Sequence, residues 1–126
     1  MKNKYQGLFD EIVELTSTEK LAWRQVNRRN NFEVINNAHF IARQYAADYE
    51  KNGEEYLLAL VLKKFIEPES DYNVEEKSIE LYFLHKIEGS IELVLILNES
   101  VIERDELSAL FSKVVSSNEL LQKLIM

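Results

Sequence analysis

The chain contains no cysteine, one proline and three glycines among its 126 residues. Without cysteine it cannot form a disulfide, a catalytic thiolate or a cysteine-ligated zinc site. The glycines Gly7, Gly53 and Gly89 stand alone, which excludes a phosphate-binding loop and a dinucleotide-binding fingerprint. No run of about 18 apolar residues is present, so no membrane-spanning helix is expected. The scarcity of glycine and proline also argues against a linker, and residues 1–126 are predicted to form one domain.

Hydrophobic residues make up 46% of the chain and charged residues 29%, with a formal net charge of −7, as in a folded acidic protein. The N-terminal stretch MKNKYQGLFDE has no apolar run behind its lysines. We therefore expect no signal peptide and a cytoplasmic location. The densest acidic segment is EPESDYNVEE, residues 67–76. The negative electrostatic potential of such a segment disfavours contact with phosphate backbones and favours solubility or basic partners.

Helical spacing of apolar residues marks both ends of the chain. Residues 5–15 predict an amphipathic helix that ends near Thr16, and residues 104–116 predict another with a leucine-rich stripe. Ser117 or Asn118 is expected to cap a separate short helix at the C-terminus. Its apolar residues are Leu120, Leu121, Leu124, Ile125 and Met126. We expect this stripe to leave an apolar patch that docks on a partner.

The segment between residues 16 and 26 fits two structures. Thr16 followed by Glu19 resembles a capping box, which would begin a second helix. The alternation of Leu21, Trp23 and Gln25 with their neighbours instead predicts a short strand. The asparagine-rich RRNNFEVINN that follows predicts turn and loop.

A hairpin is predicted at Asn52–Gly53, because a tight primed turn requires positive φ at both central positions. Before this turn, residues 40–49 have helix-favouring composition but also strand alternation, and the turn favours a strand. After it, the unbroken LLALVL predicts a strand buried on both faces. We therefore expect residues 55–66 to form a central strand between residues 40–50 and one strand of a second hairpin.

The second hairpin is predicted from SIELYFLHKI and SIELVLIL, joined by Glu88–Gly89. Ile79, Leu81 and Phe83 alternate along its first strand. Along its second strand, alternation predicts Ile91, Leu93 and Leu95 on one face, and Val94 and Ile96 on the other. Both faces of the sheet therefore need cover, which either three helices or a second copy of the chain could supply.

The sequence contains few residues arranged as catalytic or ligand-binding motifs. His39 and His85 have no ligand-spaced partner, so both are interpreted as structural or surface residues, and no catalytic, metal-binding or cofactor-binding residue is predicted. Trp23 lies beside Arg24, Arg28 and Arg29, which could suggest a nucleic-acid reader. The nearby Glu19 and Glu33 and the acidic remainder of the chain oppose this. We expect Trp23 to pack in the core under the first helix and expect no nucleic-acid partner.

The order of these patterns resembles a loosely defined group of small bacterial proteins that share a leading helix, a Lys-Leu-x-Trp element, an antiparallel meander and C-terminal helices. The matching stretches are Lys20, Leu21 and Trp23, then FIARQYAADYE, then ELYFLHKIEG, and finally Leu107 and Leu110 before Val114. The resemblance implies a strand for both FIARQYAADY and the Trp23 segment. It implies no activity.

The predicted fold is α+β, with a single antiparallel meander of four to five strands, an N-terminal helix and one or two C-terminal helices. The predicted function is protein–protein binding of an immunity, inhibitor or self-associating kind, with a homodimer expected. An acidic mimic of nucleic acid is the alternative, and a small hydrolase with a carboxylate pair is a third hypothesis. The candidate interaction residues are Glu67, Glu69, Asp71, Glu75, Glu76, Leu120, Leu121, Leu124 and Ile125.

Overall fold

A computed structural model describes residues 3–26, 40–66 and 75–125, with the side chains of residues 40–42, 64–66, 75–77, 120–123 and 125 left undescribed. One antiparallel five-stranded sheet has the order β1-β2-β3-β4-β5, preceded by one helix and followed by another. The elements are α1 (Gln6–Ser17), β1 (Arg24–Gln25), β2 (Phe40–Lys51), β3 (Glu54–Ile66), β4 (Glu75–Ile87), β5 (Ser90–Leu97) and α2 (Arg104–Ile125). The α+β class and the predicted meander are confirmed. The predicted RRNNFEVINN loop lies outside the described residues.

Helix α1 begins after Asn3, whose Oδ1 accepts hydrogen bonds from the backbone N–H groups of Tyr5 and Gln6. These two donors have no partner inside the first turn of the helix, so the Asn3 side chain satisfies them. The helix ends where Glu19 takes the left-handed conformation, with φ of 60°. The amide groups after this residue return to the carbonyl oxygen of Leu15. The predicted first helix is confirmed.

The chain then forms a turn and the two-residue strand β1, so the second helix that a capping box at Thr16 would begin is absent. Thr16 lies inside the last turn of α1, where its hydroxyl donates to the carbonyl of Ile12 at 2.8 Å. The same hydroxyl accepts a hydrogen bond from the indole N–H of Trp23 at 3.0 Å. Trp23 is 8% exposed and belongs to the main core, which confirms its predicted position under α1.

Strands β2 and β3 form the predicted hairpin, with Asn52 at φ 54° and Gly53 at φ 80°. Positive φ at both positions is the requirement that made Asn-Gly a hairpin signal. Strand β3 pairs with β2 on one side and with β4 on the other, so it is the central strand that the apolar run predicted. Its residues 57–61 are buried on both faces of the sheet.

Strand β4 is longer than expected at its N-terminal end. Glu75 and Glu76 are its first two residues and pair with Ile66 and Phe65 of β3. They therefore belong to the sheet, whereas the sequence placed them in an acidic loop. Strand β5 follows after the Glu88–Gly89 turn, with Gly89 at φ 74°, as predicted.

The C-terminal region forms one continuous helix, so the separate helix expected after Ser117 or Asn118 is wrong. No glycine or proline interrupts residues 104–125, and nothing in the backbone chemistry requires a break there. Asn118 does not cap a helix start. Its side-chain amide donates to the carbonyl of Val114 one turn earlier, inside the helix.

The two helices pack on the same face of the sheet, which we call the first face. The main core joins Phe9 and Ile12 of α1, and Leu107, Leu110 and Val114 of α2, to one side of the strands. The opposite side, the second face, carries a separate cluster with no helical member: Ala46, Leu57, Ala59, Val61, Tyr82 and Leu84. Of the two alternatives for covering both faces, the one in which three helices share the cover is therefore wrong for the described residues. No helix in this part of the chain is long and apolar enough to cross a membrane.

Candidate interaction surface

Strand β5 is the last strand of the sheet, and within the described residues only β4 pairs with it. Edge strands of soluble proteins commonly carry lysine, proline or several charges, which discourage pairing with another chain. Strand β5 has the sequence SIELVLIL, with Glu92 as its single charge. Its outer edge therefore lacks the charged side chains that usually protect such a strand.

A β-bulge interrupts β5 at Val94. Leu93 pairs with Leu84 and Leu95 pairs with Phe83, so Val94 is an extra residue between two consecutive positions of β4. The bulge shifts the alternation by one residue. Ile91, Leu93 and Ile96 consequently share the second face, paired with Lys86, Leu84 and Tyr82.

This arrangement corrects the alternation predicted from the sequence. Leu95 lies on the first face, where it packs against the main core, and Leu93 packs against the second-face cluster. A strict period of two had placed both residues on one face. No residue type in SIELVLIL marks a bulge, because the residue that is inserted is an ordinary valine.

Exposed apolar side chains are concentrated around β5. The large hydrophobic residues that the structure shows to be exposed are Ile87 (45%), Ile91 (42%), Val94 (52%), Ile96 (36%) and Leu124 (83%). Four of these five lie within ten residues of one another on the β4–β5 hairpin. Single exposed apolar residues are normal on a soluble protein, but a contiguous group marks an interaction site. We call Ile91, Leu93, Val94 and Ile96, together with the outer edge of their strand, the β5 surface.

A polar cluster lies beside this surface on the second face. The Lys63 ammonium forms an ion pair with Glu80, and the Tyr82 hydroxyl donates to the same carboxylate at 2.8 Å. Burial opposes ionisation of Glu80, but the hydrogen bonds from Lys63 and Tyr82 outweigh it and hold the pKa below its ordinary value. Burial likewise acts to lower the pKa of Lys63, yet its bonds to Glu80 and Tyr82 raise it.

The chemical consequence is that both members of this pair stay charged at neutral pH. A general acid or base needs a pKa near the working pH, and these two shifts move the pKa values away from it. The cluster is therefore suited to holding the strands together on this face rather than to proton transfer.

A second group of charges occupies the other end of the second face. Asp48 forms ion pairs with Lys86 and, at 3.8 Å, with Arg24. The hydrogen bond from Lys86 is the main cause that lowers the pKa of Asp48, with burial acting in the opposite direction. Arg24, one of the arginines considered for nucleic-acid binding, is thus paired with a carboxylate. Arg28 and Arg29 lie outside the described residues.

On the first face, aromatic side chains lie close together near the turn of the β2–β3 hairpin. The Tyr49 hydroxyl donates to Glu11 at 2.7 Å, and Lys51 bonds to the same carboxylate at 2.8 Å. His85 lies 2.7 Å from Glu54 and its ring packs against Tyr56, with the centroids 5.3 Å apart. The bonds to Glu11 attach α1 to the sheet. The contacts of His85 with Glu54 and Tyr56 hold its ring between β3 residues, as expected for a structural histidine. His39 lies outside the described residues.

A shallow cleft of about 690 Å³ lies beside the start of α2, between Asn3, Gln6, Glu99 and Glu106. Its lining is rich in carboxylates. In the part of the chain that the structure describes, no three histidine or acidic side chains are grouped so that they could hold a metal ion. The described carboxylates of the cleft are therefore not grouped as a set of cation ligands.

The candidate interaction residues from the sequence are divided between described and undescribed positions. Glu67, Glu69 and Asp71 lie outside the described residues, as does the acidic loop that would mimic nucleic acid. Glu75 and Glu76 begin β4, and Leu120, Leu121 and Ile125 lie in α2, but their side chains are not described. Leu124 is the one member with a described side chain, and it is largely exposed.

The β5 surface was absent from that set, although the sequence contained its signal. Val94 and Ile96 are apolar in a strand with one charge, and this surplus predicted that both faces of the sheet need cover. The predicted meander already made its last strand an edge strand. The missing information was the bulge at Val94, which brings Ile96 to the same face as Leu93.

No protein-family model matches the chain, and no similar protein was found among the curated proteins or the solved structures. A function is therefore inferred from the geometry of the chain itself.

Proposed function

We propose that the protein is a cytoplasmic binding protein, of the inhibitor, immunity or self-associating kind, that captures a protein partner through the β5 surface. The observation that carries the proposal is the concentration of exposed apolar side chains on one edge strand. A partner strand added at this edge would bond to the β5 backbone and cover the apolar side chains at the same time. This is the general mode of strand addition, in which main-chain bonds give affinity and alternate side chains give specificity.

The apolar character of the surface predicts how binding responds to salt. Coulombic attraction between a −7 chain and a basic partner weakens as salt screens it, whereas burial of apolar side chains does not. The β5 surface contains one carboxylate, Glu92, among its eight strand residues. We therefore expect binding that survives high salt.

The experiment compares affinity capture from the source cell by three proteins: the wild type, Val94→Lys and Leu124→Lys. Val94 and Leu124 are both exposed apolar residues, so each change adds one positive charge at little cost to folding. We expect the partner to be retained at high salt by the wild type and Leu124→Lys, and lost by Val94→Lys. Protection of β5 amides from hydrogen exchange in the complex would locate the contact. A partner that binds Val94→Lys as well as the wild type would refute the role of β5.

A further inference from the structure

We propose that the β5 surface accepts a second copy of this chain, so that two β5 strands pair antiparallel across a two-fold axis and join two sheets into one. This inference rests on the proposed function and names its partner. An antiparallel strand is complementary to itself under two-fold rotation, and such a contact closes after two copies. The closed dimer leaves no unpaired β5 edge, whereas an open edge would continue to recruit further chains.

The bulge at Val94 restricts the registers that this pairing can adopt. Directly opposed residues of an antiparallel pair point to the same face. Ile91, Leu93 and Ile96 lie on the second face, and Glu92, Leu95 and Leu97 lie on the first. A pairing centred on a residue would place Glu92 opposite Ile96 or Ile91 opposite Leu95, which belong to different faces.

A centre between Leu93 and Val94 opposes residues of the same face in every pair except Leu93–Val94, because the bulged Val94 has no partner on β4. Ile91 of one copy then lies opposite Ile96 of the other, and Glu92 lies opposite Leu95. The same register pairs Ser90 with Leu97, so the whole of β5 is used. The exposed Ile91, Val94 and Ile96 of each copy would be covered by apolar side chains of the partner copy.

Electrostatic repulsion between the two copies is weak enough to permit this arrangement. The two Glu92 carboxylates would be separated by three residues along the strand direction, about 10 Å, which is the screening length near physiological salt. The net charge of −7 per chain opposes association at longer range. We therefore expect the dimer to strengthen as salt rises from low values. An eight-residue strand pair buries less than the ~800 Å² per partner of a standard interface, so a reversible dimer is expected.

Because the chain contains no cysteine, any disulfide in the following test must form between the introduced residues. Ile91→Cys and Ile96→Cys are prepared separately and oxidised alone or as an equal mixture. The mixture should give a covalent dimer, because opposed residues of neighbouring strands lie within disulfide reach. Neither variant should do so alone, since two copies of residue 91 would lie about 16 Å apart. Ile91→Cys mixed with Ser116→Cys, an exposed position on α2, is the control that should give no covalent dimer. Equal cross-linking by one variant alone would overturn this register.

Sedimentation across a hundredfold range of concentration tests the dimer itself. The wild type and Leu124→Lys should show a concentration-dependent dimer, and Val94→Lys should be monomeric throughout. Val94→Lys reduces the net charge to about −6, which by itself would favour association, so its loss of the dimer would be specific to β5. A strictly monomeric wild type whose partner capture still depends on Val94 would overturn the dimer and leave the proposed function intact. A monomer whose partner capture is independent of Val94 would overturn both.

Discussion

The indole N–H of Trp23 donates a 3.0 Å hydrogen bond to the Thr16 hydroxyl, and this bond joins the entry of β1 to the last turn of α1. Both groups are buried, and the Thr16 hydroxyl donates its own hydrogen bond to the carbonyl of Ile12. The chain thus satisfies the polar atom of its largest core side chain with a residue only seven positions earlier. Burying an indole without such a partner would leave an unsatisfied donor.

Thr16→Val should therefore destabilise the protein by about 1–3 kcal/mol, because it keeps the side-chain shape but leaves the Trp23 N–H without an acceptor. Thr16→Ser is the matched control and should cost less, since it retains the hydroxyl. Trp23→Ala should cost about 3–5 kcal/mol by cavity formation. Chemical denaturation measures all three. Equal stability of Thr16→Val and the wild type would mean that the bond is energetically irrelevant.

Glu19→Gly should stabilise the protein by up to about 1 kcal/mol. Glu19 has φ of 60°, a conformation that disfavours L residues with a side chain and that glycine adopts freely. The same substitution at Glu14, which is exposed inside α1, should instead cost about 1 kcal/mol because glycine weakens a helix interior. Thermal unfolding of the two variants should give shifts of opposite sign. A lower melting temperature for Glu19→Gly would contradict the expected relief of strain.

Stability should depend on Glu80 in the acidic range. The folded-state pKa of Glu80 is lowered from an ordinary value of 4.5, so folding favours the ionised form. This stabilisation is fully present above pH 4.5 and is lost as the pH falls through the lower, folded pKa. Glu80→Gln should unfold more easily at pH 7, and its difference from the wild type should shrink towards pH 3. Urea titrations at several pH values measure this, with the exposed Glu92→Gln as the control. A pH-independent difference would argue against the Lys63–Glu80 pair as its source.

Asn118→Ala tests the continuous C-terminal helix by the sign of its effect. Inside a helix, alanine is favoured over asparagine by up to about 0.7 kcal/mol, so a small stabilisation is expected after the loss of the bond to Val114 is included. At the cap of a separate helix, the same change would cost about 1 kcal/mol. Circular dichroism during thermal unfolding distinguishes the two results. A clear loss of stability would favour a helix break at this position.

The sequence predicted the meander well because turn chemistry and burial agreed. Asn52–Gly53 identified the hairpin, and this signal outweighed the helix-favouring composition of residues 40–49. The two-sided burial of β3 followed from its unbroken apolar run. Local signals failed where they competed with a longer element. The capping residues at Thr16 and Asn118 are each inside a helix, because hydroxyl and amide side chains can also bond to a carbonyl one turn earlier.

The interaction surface was less predictable than the fold. The grouping of Ile91, Leu93 and Ile96 on one face depends on a one-residue bulge, which results from pairing with β4. The apolar C-terminus was expected to form the docking patch, and Leu124 is indeed exposed, but the side chains beside it are undescribed. The sequence of β5 shows an excess of apolar residues, but it does not show the bulge that brings Ile91, Leu93 and Ile96 to one face.

The Lys63–Glu80 pair also restricts the register in which β3 pairs with β4. Strand β3 is apolar on both sides, so sliding it by one residue against β4 would still bury leucine, alanine and valine. Hydrophobicity alone therefore distinguishes poorly between the native pairing and its nearest alternative. Such a slip would carry Lys63 to the helix side of the sheet and leave Glu80 without its cation. The Lys63–Glu80 pair therefore favours the native register of β3 against β4, where burial of apolar side chains alone would discriminate weakly.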